Sequence, residues 1–313
     1  MSGSCLGLDT SNYTTSAACF DGTSGRQAGQ LLDVKPGTLG LRQSEALFQH
    51  VKRLPALIES LQADGLLGTV EAVGASIKPR WVEGSYMPCF LAGESLGRSA
   101  AALLGVPFFA CSHQQGHIAA AAWSAGRTDL LDRPHLAWHL SGGTTELLLV
   151  EPERGNVRAA KLGGTSDLSA GQLIDRTGVA LGLPFPAGKE VDRLAMQSDA
   201  AEHFRVKVTD RTFSLSGIEN QVRELLRRGA EPERVARYVL LTVADAVERA
   251  TVQALNQYPG LPVLFSGGVA SNSLLREKLS VHFETIFAPP AYSTDNAVGV
   301  AVLTHRAWTG GLL

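Results

Sequence analysis

Residues 6–20 read LGLDTSNYTTSAACF and residues 136–150 read LAWHLSGGTTELLLV, an echo at an offset of 136 − 6 = 130. Leu6, Ser11, Thr14 and Thr15 in the first copy coincide with Leu136, Ser141, Thr144 and Thr145 in the second. Each copy reads as an apolar strand, a turn of small polar residues and a second strand. Both stand where a domain should begin. The LDRPH segment at 131–135 supplies the break between them, since proline restrains the residue before it. Two unrelated β-hairpins would give the same local pattern, so the remaining turns have to be weighed with these two.

Strand-like and helix-like segments alternate along the whole chain, which argues an α/β fold. Helical periodicity is clear in SEALFQHVKRLPALIESL, LAGESLGRSAAALL, AGQLIDRTGVAL and ERVARYVLLTVADAVERATVQAL. Short strand-like runs stand at EAVGASI, VPFFAC, LPVLFSGG and ETIFAPP. A third turn, FSGGVASNSLLREKL at 265–279, reads as apolar strand, Gly267–Gly268, then helix, with Asn272 near the helix start. Glycines there let a ligand approach the backbone, and a helix N-terminus favours an anion. A strand–turn–strand that opens each half resembles the actin-like ATPase superfamily (ASKHA, ribonuclease H-like). That resemblance implies a duplicated two-domain fold with an interdomain cleft, in which small-residue turns offer N–H groups and hydroxyls to phosphates. The expected division is an N-terminal actin-like subdomain at 1–131, completed by a C-terminal helix at 294–313. The expected partner is a C-terminal subdomain at 132–293 that carries a helical insertion.

With 313 residues, 44% of them hydrophobic, the chain can bury a full core. Only 19% are charged and the formal net charge is −2, so nothing draws the molecule to nucleic acid as a whole. An RNA partner would need a local basic patch or a helper protein. The arginine-rich LLRRGAEPERVAR at 225–237 reads either as such a patch or as a solvated helix–loop. Cys5, Cys19, Cys89 and Cys111 show no C-x-x-C spacing and read as free thiols of a reducing compartment. No stretch approaches the ~20 apolar residues of a membrane span, and MSGSCLGLDTS lacks a signal-peptide pattern. These features point to a cytoplasmic protein with no membrane partner.

The segment CSHQQGH at 111–117 places two histidines four apart at a helix start. Ser112 reads as the N-cap and Gln115 completes a capping box, which makes His113 the first helical residue and His117 the fifth. At i and i+4 both imidazoles lie on one face and can reach a single cation. The pair is not the zinc-protease H-E-x-x-H, whose glutamate is the general base, because Gln114 stands there. Asp295 in YSTDNAVGV and His139 in AWHLSGG are further candidate ligands. By themselves they read equally as a helix N-cap and a strand-end histidine.

Taken in order, the segments resemble the TsaD/Gcp/Kae family of tRNA threonylcarbamoyladenosine transferases, once called O-sialoglycoprotein endopeptidases. GLDTSNYTT is similar to the family's opening strand and turn, HQQGH to its H-x-E-G-H, and LSGGTTELLLV to its SGGHT segment. AGQLIDRTGVALGLPFPAG, FSLSGIENQV, SGGVASNSLLREKL and YSTDNAVGVA resemble its later motifs, so the likeness runs from residue 6 to about 301. It implies one divalent metal, iron or zinc, held by His113, His117 and Asp295. His139 falls where archaeal and eukaryotic members carry a tyrosine, and it suits such a metal as a fourth ligand. The substrate and nucleotide contacts it implies fall on Ser141, Gly142, Gly143, Thr144, Thr145, Asp175, Gly188 and Asn272. To these the reading adds Asp9, Asp192, Gly267 and Gly268. The implied reaction is acyl transfer: a threonylcarbamoyl group passes from threonylcarbamoyl-AMP to N6 of the tRNA adenosine adjacent to the anticodon. The implied partners are tRNA, a second actin-like subunit and a small ATPase.

The sequence departs from the family at several places. Thr144 stands for the histidine of SGGHT, Gln172 for a glutamate, Tyr13 and Thr14 for acidic residues of the opening turn, and Lys-Pro-Arg at 78–80 for G-P-G. These departures describe a divergent paralogue and leave other readings open. One is a carbamoyl-adenylate-dependent transferase acting on another acceptor. Another is an ATPase or sugar kinase that uses ATP, with Asp9 beside the first phosphate turn. The last is a non-catalytic nucleotide-binding partner subunit of the modification complex.

Overall fold

The computed structural model describes residues 3–11, 13–34, 41–292 and 297–310. The chain forms two compact units: Met1–Arg133 with Glu151–Ala159 and Thr294–Leu313, and Pro134–Val150 with Ala160–Ser293.

The first unit opens with β1 (Ser4–Asp9), β2 (Thr14–Phe20) and β3 (Gly25–Leu31), paired antiparallel in sequence order. After α1 (Gln43–Ala63), β4 (Val70–Lys78) joins parallel to β1. After α2 (Leu91–Leu104), β5 (Phe108–Ser112) joins parallel to β4 and runs directly into α3 (His113–Ser124). The sheet order is therefore β3-β2-β1-β4-β5. Every residue of β1 is buried, as a strand covered on both faces requires. Leu6 and Leu8 share an apolar cluster with Leu54 and Leu61 of α1 and with Ala92 and Ala101 of α2.

In the second unit β6 (His135–Leu140) pairs antiparallel with β7 (Thr145–Glu153), and β8 (Asn156–Thr165) lies beyond β7. Next come α4 (Ala170–Ala180), α5 (Gly188–Ala195), the short edge strand β9 (Thr212–Phe213), α6 (Ser216–Arg227) and α7 (Pro232–Gln257). β10 (Val263–Ser266), α8 (Ser273–Leu279) and β11 (Thr285–Phe287) complete it, β10 being parallel to both β6 and β11. Trp138 of β6 is fully buried against α7, where its indole N–H donates to Thr251 Oγ1 at 2.8 Å. The sheet order is β11-β10-β6-β7-β8-β9. Set β9 aside and read from β8, and the order repeats that of the first sheet strand for strand. The duplication suggested by the 130-residue echo is thus a duplication of topology.

The chain returns to the first unit as α9 (Val298–Trp308). A Cβ on Gly299 would sit 1.8 Å from the Gly116 carbonyl oxygen, so α9 and α3 touch backbone to backbone at this point. A Cβ on Gly7 would likewise fall 2.4 Å from the Ala301 amide, on the face of β1 opposite Leu6 and Leu8. Small residues thereby fix where α3, the carrier of the two histidines, lies. The four cysteines are free and buried, and no helix of the described residues is long and apolar enough to cross a membrane.

Candidate functional site

The capping box at the start of α3 forms as expected. Ser112 Oγ accepts the Gln115 amide at 3.3 Å while Gln115 Oε1 accepts the Ser112 amide at 2.8 Å. Gln115 Nε2 also donates to the Val157 carbonyl at 2.6 Å, so the cap is tied to the start of β8, which belongs to the first unit. The Gln114 amide donates to the Pro79 carbonyl at 3.1 Å, which fastens the segment after β4 to the same helix turn.

On this start the two imidazoles converge. His113 Nε2 and His117 Nε2 lie 2.9 Å apart, with ring centroids 4.3 Å apart and nearly perpendicular planes. At that separation the two nitrogens share either one proton or one cation. Two imidazoles fit a borderline divalent metal such as iron or zinc, and half-burial leaves the site open to a further ligand. Among the described residues no group of three or more His, Cys, Asp or Glu side chains is arranged to hold a metal. Asp295, the expected third ligand, lies outside the described residues. His139 belongs to the second unit, at the end of β6, half-buried with Nδ1 3.3 Å from Ser266 Oγ.

Asp9 ends β1 inside the protein. It is 1% exposed, its Oδ2 lies 2.8 Å from His113 Nδ1 and its Oδ1 accepts the Ser11 amide at 2.9 Å. Both oxygens are engaged inside the protein. Burial alone would raise its carboxyl. The His113 charge and the hydrogen bonds from His113 and Ser11 outweigh that and hold it well below the usual carboxylate range.

In the second unit the β6–β7 turn is closed on itself: the Ser141 amide donates to the Thr144 carbonyl at 2.8 Å and the Thr144 amide to Ser141 Oγ at 3.1 Å. Gly142 and Gly143 are exposed, with open space where a Cβ would stand. Thr145 is buried, and its hydroxyl accepts the Ala170 amide at 2.8 Å, so it anchors the turn to α4. Gly267 has φ +92°, and a Cβ there would fall 2.2 Å from the Leu140 carbonyl, so the third turn packs on the end of β6. Gly268 is exposed. It begins a 3-10 turn, Gly268–Ser271, that separates the glycine pair from α8; the helix does not follow the pair directly.

Three further expected contacts act as fasteners. Asn272 caps α8 by accepting the Leu275 amide at 3.0 Å. Asp192 reaches the same helix end, accepting from the Ser273 amide at 2.9 Å. Asp175 accepts the Ala187 amide at 2.8 Å, next to Gly188 at the start of α5. These bonds hold three of the motif segments in one unit, and half-buried Gly188 has open space where a Cβ would stand.

The chain matches the profile of TsaD, tRNA N6-adenosine threonylcarbamoyltransferase, over residues 36–302. A curated tRNA N6-adenosine threonylcarbamoyltransferase of Thermus thermophilus is 32% identical over 264 residues, covering 82% of this chain and 78% of that protein. One of Sulfurihydrogenibium is 31% identical over 320 residues, covering 96% and 89%. The chain belongs to the TsaD family. Among solved structures, full-length HypF in its phosphate- and nucleotide-bound form superposes with TM-score 0.63 at 14% identity; 98% of this chain is covered but only 46% of HypF. A ROK hexokinase of Thermus thermophilus superposes with TM-score 0.56 at 14% identity, covering 96% and 98%. These likenesses show the fold alone, which is the actin-like α/β fold.

Within the TsaD framework the Gln172 departure has a structural explanation. Gln172 is the third residue of α4; its amide donates to Ser169 Oγ at 3.2 Å, and its Oε1 accepts the Ser169 amide at 3.3 Å. A capping box takes Glu or Gln at this position equally. Asp167 escaped the sequence reading altogether. It accepts the Leu215 amide at 2.9 Å and the Ser216 hydroxyl at 2.8 Å, as well as the Ser214 hydroxyl, joining TSDLSAG to the FSLSG motif. Burial would raise its carboxyl, but these donors hold it well below the usual range. A pairing across 49 residues leaves no local signal in the sequence.

Proposed function

We propose that this TsaD-family chain transfers a threonylcarbamoyl group from threonylcarbamoyl-AMP to N6 of the tRNA adenosine adjacent to the anticodon. What carries the proposal is the convergence of His113 and His117 on one face of α3, in a chain that matches this family over residues 36–302. In the reaction the adenosine N6 forms a bond to the carbamoyl carbon, the carbon–oxygen bond to the phosphate breaks, and AMP leaves with that electron pair. The N6 proton is lost to solvent or to the departing phosphate.

His113 and His117 would hold one divalent metal, with His139 and Asp295 as the further ligands we assign. When bound, that metal supplies Lewis-acid polarisation and a fixed template for the acyl group. The exposed amides of Gly142 and Gly143 and the Ser141 hydroxyl bind the donor phosphate, helped by Gly267 and Gly268. Asp175, Gly188, Asp192 and Asn272 line the adenosine side, and Thr144 borders the acyl group. We assign the first unit, completed by α9, as the N-terminal actin-like subdomain. The second unit is the C-terminal subdomain, with α5 to α7 among its inserted elements. tRNA is the acceptor, a second actin-like subunit and a small ATPase are the partners, and the cytoplasm is the compartment.

The test is single-turnover transfer from synthetic threonylcarbamoyl-AMP to a tRNA transcript, read by mass spectrometry of the nucleosides, with His113→Ala/His117→Ala as control. Modified adenosine from the wild type and none from the double variant supports the proposal. Metal-loaded wild type that consumes the adenylate but leaves tRNA unmodified would favour the reading that Thr144 already motivates, a transferase for another acceptor.

A further inference from the structure

Asp9 closes β1 and stands 104 residues before His113, yet the two side chains meet in a contact that is buried on the Asp9 side and half-buried on the other. The approach is from one side only. Asp9 Oδ2 is 2.8 Å from His113 Nδ1, while the other ring nitrogen, Nε2, is the one that lies 2.9 Å from His117. A carboxylate accepts, so the ring proton on that side belongs to Nδ1 and the lone pair of Nε2 points toward His117. The carboxylate is itself fixed. Its Oδ1 accepts the Ser11 amide at 2.9 Å, and turning away would leave a buried amide without an acceptor. Phe90, fully buried, stacks at an angle against the His113 ring with centroids 6.2 Å apart and limits its rotation.

From this geometry we infer that Asp9 is a positioning residue for the histidine pair: it sets the His113 tautomer in which Nε2 is a ligand and holds that nitrogen toward His117. The inference rests on the reading of His113 and His117 as a pair that takes a divalent cation. It gives Asp9 a role different from the phosphate contact read from the sequence. Metal-bound imidazoles commonly donate their second N–H to such a partner, and its removal weakens metal affinity about 10- to 100-fold. A partly buried pair that only joined β1 to α3 would affect stability and leave the affinity of the folded protein unchanged.

The experiment uses the full chain, stripped of metal. Zn²⁺ affinity is measured at fixed pH by competition with a chromophoric chelator, for wild type, Asp9→Asn and Asp9→Glu. Asp9→Asn is expected to bind about 10- to 100-fold more weakly, with Asp9→Glu recovering part of the loss. Long-range proton–nitrogen spectra of the metal-free wild type are expected to place a proton on His113 Nδ1. An Asp9→Asn protein with wild-type circular dichroism that binds Zn²⁺ within about threefold of wild type overturns the inference, measured against that expectation. So does a His113 that carries no proton on Nδ1, a result that needs no variant to fold. Wild type that binds no Zn²⁺ overturns the metal reading itself, while the spectra still decide whether Asp9 sets the tautomer.

Discussion

His50 of α1 has no exposed surface; its Nδ1 lies 2.8 Å from Thr15 Oγ1, and its Nε2 has no hydrogen-bond partner among the described residues. Burial lowers its pKa from 6.5 to about 4, opposed by the charge of Asp9 and assisted by that of Arg53. The folded protein therefore holds this ring neutral where the unfolded chain would protonate it. Between pH 6.5 and 4 the unfolded state binds the extra proton, so stability is full above the unfolded value and falls as pH drops through that window. At about 1.4 kcal/mol per pKa unit the loss approaches about 3 kcal/mol by pH 4. Urea midpoints for His50→Gln, which keeps a polar neighbour for Thr15, should vary less steeply with pH over this range than those of wild type. Parallel profiles for the two proteins would show that His50 is not the group responsible. The contrast with His113 is instructive. Both are histidines of the first unit, but only His113 has a carboxylate against its ring, and that carboxylate comes from 104 residues away, where neither sequence neighbourhood could show it.

Elements were legible where their signals are local. Ser112 and Gln115 are three residues apart, and their capping box starts α3 at the residue the sequence implied, which puts both histidines on one face. Ser169 and Gln172 repeat the device at α4. The long-range bonds of Asp9, Asp192 and Asp167 were not legible, because each reaches an amide or ring between 48 and 104 residues away. The glycine pair at 267–268 follows a strand and precedes a helix capped by Asn272, as the sequence implied, but a 3-10 segment that left no local signal intervenes. The cap at α4 makes a prediction. Because Glu and Gln serve equally at the third position of a capping box, Gln172→Glu should leave thermal stability within about 0.5 kcal/mol of wild type. Any change in transfer rate would then report on chemistry at an exposed position, not on helix formation. A Gln172→Glu protein that melts far below wild type would mean that the added charge is unwelcome in this turn.

At the scale of the whole chain, the 130-residue echo foretold the sheets because strand order follows from how each half begins. β6 and β7 occupy in the second sheet the places of β1 and β2 in the first, and the later strands add outward in the same sequence. What no echo could tell is how charge is arranged. The arginines that suggested an RNA patch are engaged with acids and carbonyls of their own unit. Arg227 and Arg228 both reach Glu224, Arg234 reaches Glu202, and Arg237 donates to the Ala195 and Ala200 carbonyls. Arg176 and Arg223 converge on Glu219 in the same way. A paired arginine adds little field beyond a Debye length, and the net charge of −2 adds none in favour of RNA. The isolated chain should therefore hold tRNA through few phosphate contacts. With about two such contacts, affinity falls only about tenfold between roughly 50 and 200 mM salt, against about 10³–10⁵ for a protein that makes six to ten. Fluorescence anisotropy of a labelled tRNA across that salt range measures the slope directly. A shallow slope that steepens when a second actin-like subunit is added assigns the missing phosphate contacts to that partner. A steep slope for the chain alone locates a basic surface within it, and Arg227→Ala/Arg228→Ala then shows whether the α6 end supplies it.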